Sequence, residues 1–314
     1  MTDFKNNVFY KSSDNMEEVP DGSINLIVTS PPYFNVKDYS RDGYQNKSIG
    51  DTVKGQIGDI HIYKDFIDMI LPIWKECCRV LAPNGKLVIN TPLMPVPKDF
   101  CNTHHNRHIF NINSDIEHSI LDNVPDLYLL NLYIWNRTNP TNQVIFGSYP
   151  YPTNFYGQNA IEFINVFVKD GKPAKVSKKT KELSRLSKRQ WLSYTKDIWD
   201  IPIPNKKDLA IGYHSAIMPE EIVRRCIRLY SFVNDIILDP FAGSGTTLKV
   251  AIEENRNFVG YEIMKEYKTI IDKKINSEHI NMFSKIEQKN IKTKKTISEE
   301  KEEIIQTLKN PESL

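Results

Sequence analysis

The stretch Ile236-Ile-Leu-Asp-Pro-Phe-Ala-Gly-Ser-Gly-Thr-Thr247 decides the fold. Its first three residues are apolar and suit a short buried strand, and Pro240 cannot continue the ladder they begin. Gly243 and Gly245 let the backbone turn sharply and approach a ligand where a Cβ would obstruct. A helix is expected to begin at Thr246, so the free N–H groups at its start would suit a carboxylate or a phosphate. The lysine of a triphosphate-binding loop is missing, because Thr246 and Thr247 follow Gly245 directly. One predicted strand later comes Gly260-Tyr-Glu262, where an acid can accept hydrogen bonds from both hydroxyls of a ribose. A plain glycine turn is the other reading of the loop, and Glu262 at this spacing weighs against it.

Working outward, short runs rich in Ile, Val and Phe alternate with helical patterns, which predicts an α/β sheet domain. The predicted strands are 8–11, 24–29, 86–90, 127–135, 161–168, 236–238 and 258–261, seven in all. A helix is expected over 66–81, stopped by Ala82-Pro-Asn-Gly85, and another over 219–230, opened by Pro219 with Glu220 and Glu221 behind it. The third begins at Thr246 and a fourth near Met264. Residues 35–62 read as a long polar loop, 169–212 as a small inserted lobe, and the Lys/Glu-rich end from Asn281 as a solvated helix or tail.

Hydrophobic residues make up 40% of the 314, enough for a proper core, and no apolar run reaches the roughly eighteen residues that a membrane span needs. The first twenty residues lack the apolar stretch of a signal peptide, so a cytoplasmic location is expected. Cys77, Cys78, Cys101 and Cys226 match neither a disulfide framework nor a zinc pair. The formal net charge of +2 says little about nucleic acid, but 169–189 holds nine Lys or Arg against Asp170 and Glu182. His104, His105 and His108 have no Cys or acid at ligand spacing, so no metal is expected.

The second chemical segment is Thr29-Ser-Pro-Pro-Tyr33, at the end of the predicted strand 24–29. Two prolines there cannot extend a ladder and hold the backbone extended, with carbonyls outward and an aromatic ring behind. Such a surface suits a planar ring bearing an amino group: the NH2 donates to a carbonyl and to the Ser30 hydroxyl, and Tyr33 stacks on the ring. A proline turn at a strand end is the bland alternative.

Ser30-Pro31-Pro32-Tyr33, taken with Asp239-Pro-Phe-Ala-Gly-Ser-Gly-Thr-Thr247, resembles the amino-methyltransferases of bacterial restriction–modification systems. The order, with the catalytic segment first and the glycine loop last, is similar to the beta group of these enzymes. The resemblance covers about residues 8–275. It implies a class I S-adenosylmethionine-dependent methyltransferase fold: Rossmann-like, with a mostly parallel seven-stranded sheet, circularly permuted, and carrying an inserted target-recognition region. The implied division is a catalytic half (1–168), the insert (169–212), a cofactor-binding half (213–280) and a charged tail (281–314).

The resemblance also implies site residues. Phe241, Gly243, Ser244, Gly245 and Thr246, with Thr29, Asp239 and Thr247 beside them, would line the methionine end of S-adenosylmethionine. Glu262 would hold the ribose and Asp14 would lie by the adenine. His214 opens His-Ser-Ala-Ile-Met-Pro219, similar to a family segment that usually reads His-Pro; Ser215 departs from it, and an ordinary helix-start residue is the other reading. The implied substrate is a base flipped out of double-stranded DNA. Lys178, Lys179, Lys181 and Lys188 would hold phosphates, and Arg185 and Arg189 would reach base edges. The other reading of those six is a solvated helix face.

Tyr149 and Tyr151, in 146–154, would stack beside the displaced base or cover the sheet edge. No cysteine follows a proline, so the nucleophile for carbon-5 methylation is absent. In this family Ser-Pro-Pro-Tyr usually accompanies cytosine N4, while an acid or amide in place of the serine accompanies adenine N6. Some relatives of the cytosine type place an acid at the end of the next strand, where this chain has Asn90. Cytosine N4 is therefore expected. Adenine N6 and a catalytically idle DNA-binding subunit are the alternatives, and a companion endonuclease is a possible partner.

Overall fold

The computed structural model describes residues 4–33, 62–97, 107–138, 148, 150–153, 160–204 and 217–276. Its centre is an eight-stranded sheet built from β1 (Asn7–Phe9), β2 (Ile24–Thr29), β3 (Leu81–Pro92), β6 (Leu127–Arg137), β7 (Ile161–Lys169), β8 (Ile198–Ile201), β9 (Ile236–Asp239) and β10 (Asn257–Tyr261). A separate hairpin pairs β4 (Met94–Pro97) with β5 (Arg107–Phe110). The order across the sheet is β1-β10-β9-β2-β3-β7-β6-β8. β7 pairs antiparallel with both its neighbours, and every other adjacent pair is parallel.

The central strands are apolar runs because helices cover both faces of the sheet. Successive side chains point to opposite faces, so Ile27 and Leu238 enter one core and Leu26, Val28 and Ile237 the other. The first core is closed by α1 (Tyr63–Val80) and α2 (Ile112–Asn123). The stripe Phe66, Ile70, Ile73, Trp74 and Cys77 on α1 lies at helical spacing and is buried throughout. Each large apolar side chain of this kind contributes about 1.5–3 kcal/mol. The second core is closed by α5 (Glu220–Tyr230) and α6 (Thr246–Glu253), through Val223, Ile227, Leu248 and Ala251. Residues 268–276 form a further helix.

Seven of the strands are those the sequence predicts; the eighth, β8, is not. After α3 (Lys178–Leu183) and α4 (Lys188–Tyr194), the chain enters β8 and pairs parallel with β6 at the sheet edge. Trp199 is fully buried there and stacks on Tyr133, with ring centroids 4.6 Å apart. Trp199, in the stretch read as a small lobe, thus extends the main core, while Trp191 of the same stretch is exposed. The predicted helix 66–81 becomes Tyr63–Val80, and 219–230 becomes Glu220–Tyr230. Most of 35–62, and all of 281–314, lie outside the described residues.

The parallel strands end at one edge of the sheet, which therefore carries Thr29, Asp239 and Tyr261. Because β7 runs the other way, that edge also receives its first residues, Ile161 and Glu162. The basic helices lie at the opposite edge. The Val233 N–H, just before β9, donates to Ser184 Oγ at 2.9 Å, and Gly171 lies against Pro83 near the start of β3.

Candidate active site

The glycine loop turns where the sequence predicts. Gly243 and Gly245 have φ of 50° and 82°, the left-handed region where an L side chain is strained. Gly245 caps α6, and a Cβ on it would come within 3.3 Å of Ile271. The loop is fastened at several points. Ala242 N–H donates to the Tyr261 carbonyl at 2.8 Å. Lys274, buried in the helix at 268–276, donates to Ser244 Oγ at 3.1 Å and to Thr246 Oγ1 at 3.2 Å. Sequence reasoning missed this lysine, because a Lys-Lys pair in a polar helix looks solvated.

Two buried acids brace the loop from beneath. Asp239 Oδ1 accepts from Thr29 Oγ1 at 2.7 Å and from the Phe241 N–H at 3.0 Å. Burial pushes its carboxyl up to about 6, although the hydrogen bonds from Thr29, Thr247 and Phe241 pull it down. Glu262 accepts from the Gly243 N–H at 2.8 Å through Oε2 and from the Met264 N–H at 2.9 Å through Oε1. Burial lifts it to about 7, against those backbone bonds and with added repulsion from Asp239. The Ile263 N–H adds a third backbone donor, which leaves room among the four lone pairs of Glu262 for one further donor. Asp14 is exposed, next to Ser13, whose hydroxyl donates to the Pro240 carbonyl at 2.9 Å. The segment after β1 therefore lies against the loop.

Thr29 links the two chemical segments through Asp239, and Ser30 follows it into the cleft. Ser30, Asp239, Phe241, Gly243, Ser244 and Thr246 line one cleft, with Thr247, Ile217 and Met218 beside them. Pro31 is buried; Ser30, Pro32 and Tyr33 are half-buried. Ser30 Oγ lies 3.0 Å from Tyr33 Oη and donates to the Asn90 carbonyl at 3.2 Å. Tyr33 Oη donates to Glu162 Oε2 at 3.3 Å, and Asn90 Nδ2 donates to the same oxygen at 2.7 Å. Glu162 is 6% exposed, and its Oε1 lies 3.6 Å from Arg137 Nη1. This carboxylate was not singled out from the sequence. An acid at a strand start reads as an edge residue until the antiparallel direction of β7 is known.

Other expected residues fall elsewhere. Lys178, Lys179, Lys181, Arg185, Lys188 and Arg189 are all exposed on or between α3 and α4, at the edge opposite the cleft, so the structure does not bring them to it. Arg185 lies 3.7 Å from Glu182, with 77% of its side chain exposed. His214, His104, His105 and Tyr149 lie outside the described residues. Tyr151 is 75% exposed. Among the described residues no group of three or more His, Cys, Asp or Glu could hold a metal ion. Nor, among them, is any helix long and apolar enough to cross a membrane.

The DNA methylase family matches residues 24–273. The chain belongs to that family. M.MjaI, a type II methyltransferase of Methanocaldococcus jannaschii, is 31% identical to this DNA methylase over 85% of the chain and 90% of its own length. TTHA0409 of Thermus thermophilus, solved in complex with S-adenosyl-L-methionine, superposes with a TM-score of 0.66 at 28% identity, covering 86% of this chain and 93% of its own. The cytosine-N4-specific PvuII DNA methyltransferase superposes at 0.56 with 18% identity over 86% and 92%, a likeness of fold alone. The sheet is thus that of an S-adenosylmethionine-dependent methyltransferase, and S-adenosylmethionine is the family's cofactor and this chain's. The residues present fit it. The left-handed turn at Gly243 and Gly245 brings the loop backbone to the start of α6, which suits the amino-acid end, and the buried acid beside it suits a ribose hydroxyl.

Proposed function

We propose that this DNA methylase moves the methyl group of S-adenosylmethionine to the exocyclic N4 of a cytosine flipped out of double-stranded DNA. The observation that carries the reading is that Ser30 and the glycine loop line the same cleft, although they lie at opposite ends of the chain. The cofactor supplies an electrophilic methyl on a sulfonium. The protein's own residues do the rest. Gly243, Gly245 and Thr246 seat the amino-acid end, Glu262 takes the ribose, and Asp14 lies by the adenine. Thr29, Asp239 and Thr247 hold the loop to β2 and fix its distance from Ser30. The Ser30 hydroxyl and the Pro31 carbonyl accept from the amino group and draw its nitrogen toward tetrahedral geometry, freeing the lone pair. Pro32 keeps that backbone extended, and the Tyr33 ring packs against the base. Positioning and electrostatics aimed at the developing ammonium provide the acceleration.

The serine in Ser-Pro-Pro-Tyr supports cytosine. Adenine N6 keeps every other residue in the same role, since its amino group has the same donors. The glycine-loop strand β9 follows β2 in the chain but neighbours it in the sheet, which supports a circularly permuted order. The likeness to M.MjaI supports a place in a type II restriction–modification system, with a companion endonuclease, in the cytoplasm where the DNA is. The basic helices α3 and α4 serve, in this reading, to attract phosphates away from the reacting base.

The test is mass spectrometry of nucleosides from unmethylated DNA incubated with the protein and S-adenosylmethionine. N4-methylcytosine is expected. N6-methyladenine would replace the base and keep the mechanism, and no methylated base would overturn the reading.

A further inference from the structure

The antiparallel run of β7 brings its second residue to the catalytic edge. There Glu162 stands opposite Pro92 of β3 and Trp135 of β6. A buried carboxylate is costly unless it is paired and hydrogen-bonded. Glu162 is served from three elements: Tyr33 after β2, Asn90 on β3 and Arg137 on β6. Of these, Arg137 and Tyr33 are the titratable groups that face it. Two of its contacts also touch Ser30, so hydroxyls run without a break from the cleft to the carboxylate: Ser30 Oγ, Tyr33 Oη at 3.0 Å, then Glu162 Oε2 at 3.3 Å. With Tyr33 donating to Glu162, the Ser30 proton is shared between Tyr33 Oη and the Asn90 carbonyl.

We propose that Glu162 is the carboxylate that receives, through Tyr33 and Ser30, the proton that the target amino group must lose. The proposal rests on the amino-methylation reading above and adds a residue to it. The nitrogen lone pair forms the new N–C bond, and the electron pair of the breaking S–C bond goes to sulfur. The surplus N–H proton passes to Ser30 Oγ as the serine proton moves to Tyr33 Oη and the tyrosine proton to Glu162 Oε2. The two hydroxyls end as they began, and Glu162 ends neutral. Asn90 and Arg137 hold the carboxylate in line. Glu162 touches no base, so it is a positioning and relay residue. The acid stands on β7, while the end of β3 carries the amide Asn90.

The experiment is single-turnover methylation against pH, with S-adenosylmethionine saturating at every pH so that the titration of Glu262 does not enter, for the wild type, Glu162→Gln, Glu162→Asp and Tyr33→Phe, with calorimetry of S-adenosylmethionine binding for each. Glu162→Gln is expected to slow transfer by about 10²-fold or more and to lose the fall in rate at acid pH, with cofactor affinity unchanged. Glu162→Asp should restore part of the rate together with the acid limb. Tyr33→Phe keeps the ring and the carboxylate but cuts the line between Ser30 and Glu162, so it should lose the same limb. It decides the matter if Glu162→Gln does not fold. A retained acid limb in Tyr33→Phe, or in a folded Glu162→Gln, overturns the proposal. A wild type that methylates no base defeats the broader reading instead, before any variant is compared.

Discussion

Glu262 ties cofactor binding to pH. In the unliganded protein burial holds its carboxyl at about 7, against an ordinary 4.5. Ribose hydroxyls donate to the ionised form, so a bound cofactor should return the carboxyl toward its ordinary value and expel a proton. If the return is complete, affinity falls about 30-fold between about pH 8 and about pH 5.5, which is about 2 kcal/mol. Unliganded stability runs the other way. Glu262 and Asp239 both titrate higher folded than unfolded, so the folded state holds the extra protons. Their contribution is greatest below about pH 4 and is lost as pH rises through about 6 and 7. Calorimetry across this range, in buffers of different ionisation heat, counts the protons released. Glu262→Gln should flatten the affinity profile and leave at most the smaller slope due to Asp239. Wild-type affinity constant within twofold, with no proton released, would refute the assignment of Glu262 to the ribose.

Three further outcomes are expected. Thr29→Val removes the hydroxyl that donates to the buried Asp239, and should cost about 1–3 kcal/mol in urea unfolding at pH 7. The cost should shrink at pH 5, where Asp239 is largely neutral; an equal cost at both pH values would contradict the pairing. Gly245→Ala places an L residue at φ 82° with its Cβ 3.3 Å from Ile271, so about 1–2 kcal/mol of backbone strain should lower the melting temperature and weaken cofactor binding. Replacing Arg185 and Arg189 together by Ala should leave the methylated sequence unchanged and make DNA binding less sensitive to salt, by about one unit of logarithmic slope for each arginine that holds a phosphate. A changed recognition sequence in methylated-DNA sequencing would mean that α3 and α4 read bases after all.

Buried strands and the glycine loop are legible in the sequence because they rest on local signals. β2 and β9 are mostly apolar runs, broken only by Asn25 and by the polar ends Thr29 and Asp239, and α6 begins at Thr246 as its loop predicts. β8 escapes notice because it has four residues, alternately exposed and buried, in a polar stretch. α2 escapes because its helically spaced buried side chains, Ile112, Ile116 and Ile120, form a narrow stripe in an otherwise mostly polar run, although Asn111 caps it by accepting from the Ser114 N–H. The cluster of lysines and arginines at 169–189 is plain from composition, but composition is silent on which edge of the sheet it occupies. Strand direction settles that, and it also brings Glu162 to Tyr33. Neither follows from the order of residues within a single element.

Thr29 and Asp239 meet across 210 residues, on strands that lie side by side in the middle of the sheet. During synthesis β2 leaves the ribosome long before its neighbour β9, with one flank of its backbone unsatisfied. A nascent chain stalled before residue 236 would present that bare flank to other chains, the kind of surface on which misassembly starts. A ribosome-bound chain should accordingly need chaperone cover until β9 emerges. Enzyme activity should then appear late and abruptly, so newly made copies cannot modify a chromosome piecemeal while still being translated.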